Sequence, residues 1–111
     1  MQNDTRTVIV FSTIDVEDKA ARIARALVES SLAACVNIVP RIRSVYKWKG
    51  ELCDEAESLM IIKTRKSLLE KLKQKIASMH PYDVPEIVAF DIADGHGPYL
   101  EWLLDSTTEG G

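Results

Sequence analysis

Ala33-Ala34-Cys35-Val36-Asn37-Ile38-Val39-Pro40-Arg41-Ile42-Arg43-Ser44-Val45-Tyr46-Lys47-Trp48 is the stretch that decides the fold. From Pro40 onward the residues alternate with a period of two. Ile42, Tyr46 and Trp48 share one face of a strand, and Arg41, Arg43, Lys47 and Lys49 share the other. Read as one strand, Ala33 to Trp48 spans roughly 50 Å at about 3.3 Å per residue, far more than a small sheet needs. A second strand, Glu51 to Lys63, returns along it, with Glu55 and Glu57 on its odd face before Leu59 and Ile61. A lone protruding hairpin is marginal in water and exposes strand edges. The pattern therefore predicts that the hairpin pairs with another copy of the chain.

Two registers are open to this hairpin. A two-residue loop at Lys49-Gly50 sets Tyr46 opposite Cys53 and Ile42 opposite Glu57. A three-residue loop, Lys49-Gly50-Glu51, sets Trp48 opposite Leu52 and Arg43 opposite Glu57. The second pairs apolar with apolar and cation with anion, and Gly50 suits a left-handed position in it. The three-residue loop is the expectation, with Arg41 and Arg43 forming an ion-pair ladder to Glu57.

The remaining elements follow from periodicity. Val8-Ile9-Val10-Phe11, within Thr7 to Thr13, is a continuous apolar run of the kind found in strands buried on both faces. Asp15 reads as an N-cap, with Glu17 and Asp18 in the first turn. Val16, Ala20, Ile23 and Leu27 then mark an amphipathic helix to about Ser30. Ser67 with Glu70 reads as a capping box, opening a helix through Leu69, Leu72, Ile76 and Met79 that ends at His80-Pro81. Glu86 to Ile92 is the fourth strand. Asp94-Gly95-His96-Gly97-Pro98 is a turn, Tyr99 to Ser106 a short helix, and Thr107 to Gly111 a frayed tail. The predicted class is α+β: one domain over residues 1–111, in the ferredoxin-like order β-α-β-β-α-β, with a long protruding hairpin and a short C-terminal helix.

Bulk properties narrow the functions. The 111 residues make one domain, and a net charge of −3 supplies no basic field for nucleic acid or anionic membrane. No apolar run reaches membrane-spanning length, and Met1 to Arg6 lacks the apolar stretch of a signal peptide. A cytoplasmic location is expected. Cys35 and Cys53 form no metal-finger spacing. Cys35, between Ala34 and Val36, reads as a small buried hydrophobe, and Cys53 is left open.

A second segment carries candidate chemistry. His80-Pro81-Tyr82-Asp83-Val84-Pro85-Glu86 sets an imidazole, a phenol and two carboxylates on a loop stiffened by two prolines. His80 has three readings: a helix C-terminal cap, a metal ligand, or an acid–base group. Lys63 reads equally as a snorkelling strand-end lysine or as a cation facing an anionic ligand. Glu86 is placed to accept from Tyr82 or Lys63 across a cleft.

Ala34-Cys35-Val36-Asn37 with Ile38-Val39-Pro40, Ser44 to Glu51, Lys63-Thr64, His80-Pro81-Tyr82 with Pro85-Glu86, and Tyr99-Leu100 with Trp102-Leu103 together resemble the CutA divalent-cation-tolerance family, from about Val8 to Ser106. The resemblance implies a cytoplasmic homotrimer whose hairpins extend neighbouring sheets, similar in architecture to the P-II signalling trimers. It implies an inter-subunit ligand cleft holding Asn37, Lys63, His80, Tyr82 and Glu86, with Tyr46, Trp48 and Trp102 at the trimer interface. It further implies Cu(II) or another divalent cation, or a small anion, as ligand. The copper pattern of that family is a cysteine late in the first strand and a His-His pair before Pro-Tyr. Here Ser12 and Met79 replace two of those ligands, and only His80 matches. One imidazole is a poor copper site alone.

Three classes of function compete for a chain of this kind. A trimeric binding or signalling protein tied to metal tolerance is favoured. A P-II-like small-molecule sensor or a cleft enzyme without a direct metal role is the alternative. No nucleophile-plus-base pair or phosphate-cradling glycine loop supports an enzyme. An RNA reader is rejected, since the aromatic pattern it needs is missing and the charge is wrong.

Overall fold

The computed structural model describes residues 6–108. β1 (Thr7–Ile14), α1 (Glu17–Glu29), β2 (Cys35–Trp48), β3 (Glu51–Arg65), a 3-10 turn (Lys66–Leu68), α2 (Leu69–Met79), β4 (Val88–Asp91) and α3 (Gly97–Asp105) follow in that order. The four strands form one antiparallel sheet in the order β2-β3-β1-β4. This is the predicted ferredoxin-like arrangement.

α1 and α2 cover one face of the sheet. Even-numbered side chains of β1 and β3, among them Val8, Val10, Met60 and Ile62, pack there against Ile23, Leu27, Leu72 and Ile76. Ile62, Leu72 and Ile76 are completely buried, each worth about 1.5–3 kcal/mol. The other face carries Ile9, Phe11, Leu59, Ile61, Val88 and Phe90. Only its far end meets a helix, where Arg65 donates to the Thr107 hydroxyl and the Leu104 carbonyl at the end of α3. The apolar run of β1 is thus buried on one side and half-exposed on the other.

β2 and β3 leave the body of the domain as a ribbon. The radius of gyration is 14.7 Å, against about 13 Å for a compact chain of this length. The register differs from the expected one. Trp48 pairs with Glu51 and Tyr46 with Cys53, so the loop is Lys49-Gly50 alone. Both loop residues have positive φ, 51° and 81°, the signature of the tight turn that matches strand twist. Backbone turn geometry therefore outweighs the side-chain pairing that favoured three residues. Lys49→Asn should raise hairpin stability by a few tenths of a kcal/mol, because Asn tolerates this conformation better. Gly50→Ala should cost about 1 kcal/mol, and chemical denaturation of the two variants beside the parent checks both signs.

A bulge lies between Val39 and Ile42, with Arg41 at φ 59°. It inserts one extra residue on β2 and shifts which side chains share a face. Beyond it Ile42 stands opposite Glu57, and Arg43 opposite Ala56. Arg43 instead grips Asp54 with two hydrogen bonds of 2.8 and 2.7 Å. The expected Arg41–Arg43–Glu57 ladder is replaced by this pair, which holds the Asp54 carboxyl below its usual range.

Other boundaries shift for local reasons. Val16, not Asp15, occupies the N-cap of α1, and Asp15 pairs with Lys19 at 3.2 Å. Ser67 lies inside the 3-10 turn, and Leu68 takes the N-cap position of α2 without a side-chain bond, so the capping box does not form. β4 is shorter than expected, since the backbone up to Ile87 belongs to the proline loop. Thr107 is fully buried, and the Thr108 N–H donates to the Ser31 carbonyl, so the frayed tail does not begin there. Residues 109–111 of that tail, and 1–5 of the polar N-terminal segment, lie outside the described residues.

Candidate functional site

The parity shift at the bulge carries Tyr46 and Trp48 of β2 onto the continuation of the open sheet face, where Glu55 and Glu57 of β3 lie in line with Leu59 and Ile61. There they meet Thr13 at the end of β1 and the loop from His80 to Ile87. Together these walls enclose a cleft of about 650 Å³, lined by Thr13, Tyr46, Trp48, Glu57, Tyr82 and Glu86, with further carboxylates at Asp15, Glu55 and Asp83.

Three contacts fix the loop against the sheet. His80, 8% exposed, sets Nε2 at 2.7 Å from the Thr13 carbonyl, while Nδ1 accepts from the Tyr82 N–H at 3.2 Å. These partners require the Nε2–H tautomer, because a carbonyl only accepts and an amide only donates. The Tyr82 ring stands edge-on to the imidazole at 4.6 Å. Its hydroxyl donates to Glu57 Oε2 at 2.7 Å. Thr13 Oγ1 donates to Glu86 Oε1 at 3.4 Å, so the Glu86 acceptor role is met by Thr13 rather than by Tyr82 or Lys63. The His80 backbone N–H also closes α2 onto the Ile76 carbonyl, which is the capping geometry, made by the main chain rather than by the imidazole.

The cleft is acidic and its phenols are donors. Burial, the hydrogen bond to Glu57 and the charge of Glu57 push the Tyr82 phenol far above its ordinary value. Tyr46 is pushed up to about 12 by desolvation and by the Glu55 carboxylate, to which it donates at 3.3 Å.

The five expected cleft residues divide into two groups. Tyr82 and Glu86 line the cleft, while His80 packs against Tyr82 without lining it. Lys63 stands opposite Cys35, and Asn37 opposite Ile61, farther along the open face. Lys63 Nζ lies 5.9 Å from the Tyr99 ring centroid, and Tyr99 in turn packs on Trp102 at 5.5 Å. Within one chain, then, Asn37 and Lys63 do not join the cleft of Tyr82 and Glu86. Trp48 and Trp102 are both nearly half exposed, at opposite ends of the sheet. Thr13 and Glu57 are the residues that sequence reasoning missed. Glu57 keeps the face of Leu59 and Ile61 along β3; the signal that aromatic residues join it there was Pro40, since proline inside a strand marks an edge or a bulge, and the bulge turns Tyr46 and Trp48 onto that face.

The copper ligand pattern is not reproduced. Ser12 Oγ is completely buried on the helix-covered face, without a hydrogen-bond partner. Met79 packs against the core. Both nitrogens of His80 are engaged by backbone. Among the described residues no group of three or more His, Cys, Asp or Glu side chains is gathered to hold a metal ion. These residues do not fit a copper centre of that type.

A ferredoxin-like α+β domain with a drawn-out hairpin, an open apolar sheet face and an acidic, aromatic cleft at their junction is the class that the fold defines. The family model for the CutA1 divalent ion tolerance protein matches residues 8–106. The chain belongs to this family. It is 48% identical over 99 residues to the divalent-cation tolerance protein CutA of Thermus thermophilus, covering 89% of this chain and 96% of the relative. It is 46% identical over 110 residues to the chloroplastic CutA of Arabidopsis thaliana, covering 96% of this chain and 60% of that protein. The chain thus spans less than two thirds of the plant relative's length. The crystal structure of CutA1 from Oryza sativa superposes with a TM-score of 0.91 at 46% identity, covering 95% of this chain and 96% of that one. No helix among the described residues is long and apolar enough to cross a membrane.

Proposed function

We propose that this chain is a cytoplasmic, homotrimeric binding protein of the divalent-cation tolerance response, not an enzyme, with its ligand held in clefts between subunits and an architecture of the P-II type. The observation that carries the assembly is the open sheet face. Ile9, Phe11, Leu59, Ile61, Val88 and Phe90 form a contiguous apolar surface, with Phe90 53% exposed and Phe11 against it at 5.2 Å. Surfaces of this kind mark interaction sites. The hairpin adds Trp48, 45% exposed, on the same face. The cleft lies on the same face, so a copy packed there would border it. In such an assembly, Asn37 and Lys63 of one subunit reach a cleft only if it belongs to a neighbour.

Trp48→Ala tests the hairpin's part in assembly. Its expected result is a solution mass shifted toward the single chain, or a steep loss of thermal stability, measured by light scattering and melting. A fully assembled variant of unchanged stability would sink that role.

The metal role is read as indirect. His80 holds the loop to the sheet, and to ligate Cu(II) through Nδ1 it would have to release the Tyr82 N–H. Calorimetric titration of metal-free protein with Cu(II), beside His80→Ala, separates the readings. Equal behaviour of the two proteins is expected. Saturable binding lost in the variant would make His80 a ligand.

A further inference from the structure

We infer that the cleft takes a small organic cation, an ammonium or guanidinium group, in preference to an anion or a bare metal ion. This deepens the proposal that the cleft is the ligand site and rests on it. Tyr46, Trp48 and Tyr82 supply aromatic walls, and Glu55, Glu57, Asp83 and Glu86 supply carboxylates. Among the described residues no lysine or arginine lines the cavity. Asp15 is matched by Lys19, and Lys49 sits 6.0 Å from the Trp48 ring at the hairpin tip without lining the cleft. Among the described residues, none of those four carboxylates has an ion-pair partner.

Glu57 is the decisive group. It is 6% exposed, lines the cavity, and accepts one hydrogen bond from Tyr82 without a counter-ion. A carboxylate withdrawn from water calls for compensation by opposite charge. An anion would meet four like charges at short range, which disfavours the small anionic ligand that Lys63 suggested. A bare divalent ion lacks a gathered ligand set among the described residues. The volume of about 650 Å³ is that of a small-molecule site. Aromatic rings with carboxylates behind them suit an ammonium or guanidinium head, which binds ring faces and donates charge-assisted hydrogen bonds to the carboxylates.

The test uses three probes of one shape: benzylammonium, uncharged benzyl alcohol and benzoate. Each is titrated calorimetrically into the intact protein in an amine-free, low-salt buffer, with the solution mass measured on the same sample. Saturable binding of benzylammonium, with at least tenfold weaker binding of benzyl alcohol and no heat from benzoate, is expected. Glu57→Gln keeps an acceptor for the Tyr82 hydroxyl and removes the charge, so benzylammonium affinity should fall about tenfold. Equal binding of the alcohol, preference for benzoate, or unchanged affinity in Glu57→Gln would overturn the inference. An assembled protein that ignores benzylammonium overturns it too, as when a neighbour's lysine or arginine already fills the cleft, and leaves the trimer reading standing. Single chains that bind benzylammonium would do the reverse.

Discussion

Phe90→Asp should convert the protein to single chains. Phe90 lies on the short edge strand β4 and projects from the open face, its ring edge-on to Phe11 with centroids 5.2 Å apart. In one chain the ring is 53% exposed, so a carboxylate there is hydrated and costs the isolated fold little. In an assembly that covers this face, each copy would bury an unpaired charge. The effective penalty is several kcal/mol per ion, and a three-fold assembly incurs it three times. Sedimentation should find the variant at the mass of one chain. A subunit that needs its neighbours to fold would lose secondary structure at the same time, which also follows from the account. An intact assembly with the parent's melting temperature would contradict it.

The same face shows how much was legible in sequence. Val8 to Phe11 reads as a strand buried on both sides, and the single chain covers only one of them. The helices were equally plain, since Ile23, Leu27, Leu72 and Ile76 keep helical spacing and all four reach the core. What failed was local. Asp15 looks like a cap, but its carboxylate pairs with Lys19. Side-chain complementarity pointed to a three-residue hairpin loop, and the actual turn accepts Lys49 at positive φ to keep two. That single residue of register, with the bulge at Pro40 and Arg41, set Ile42 rather than Arg43 opposite Glu57 and turned Tyr46 and Trp48 onto its face, so that Glu57 is a buried wall of the cleft instead of a surface ion pair. Sequence separation also hid that His80 reaches back 67 residues to β1, and that Lys63 lies toward α3 rather than beside it.

His80→Ala should lower stability by about 2–4 kcal/mol and loosen the loop that walls the cleft. The variant leaves two part-buried backbone groups, the Thr13 carbonyl and the Tyr82 N–H, without their present partners. Each group so orphaned costs about 1–3 kcal/mol, and the lost ring also removes its edge contact with Tyr82. Urea denaturation measures the first effect. Hydrogen exchange at the Tyr82 amide measures the second and should speed up even under conditions where the core amides stay protected. If stability and exchange both match the parent, His80 does not hold the loop, and its conformation here lacks the structural weight assigned to it.

The central claim is that several copies of this chain close the open sheet face and complete the cleft. The most direct measurement is the solution mass of the unmodified protein by sedimentation equilibrium across a wide concentration range. The account predicts three times the 12.4 kDa of one chain, maintained on dilution. A mass of one chain throughout, with the fold intact, would contradict it.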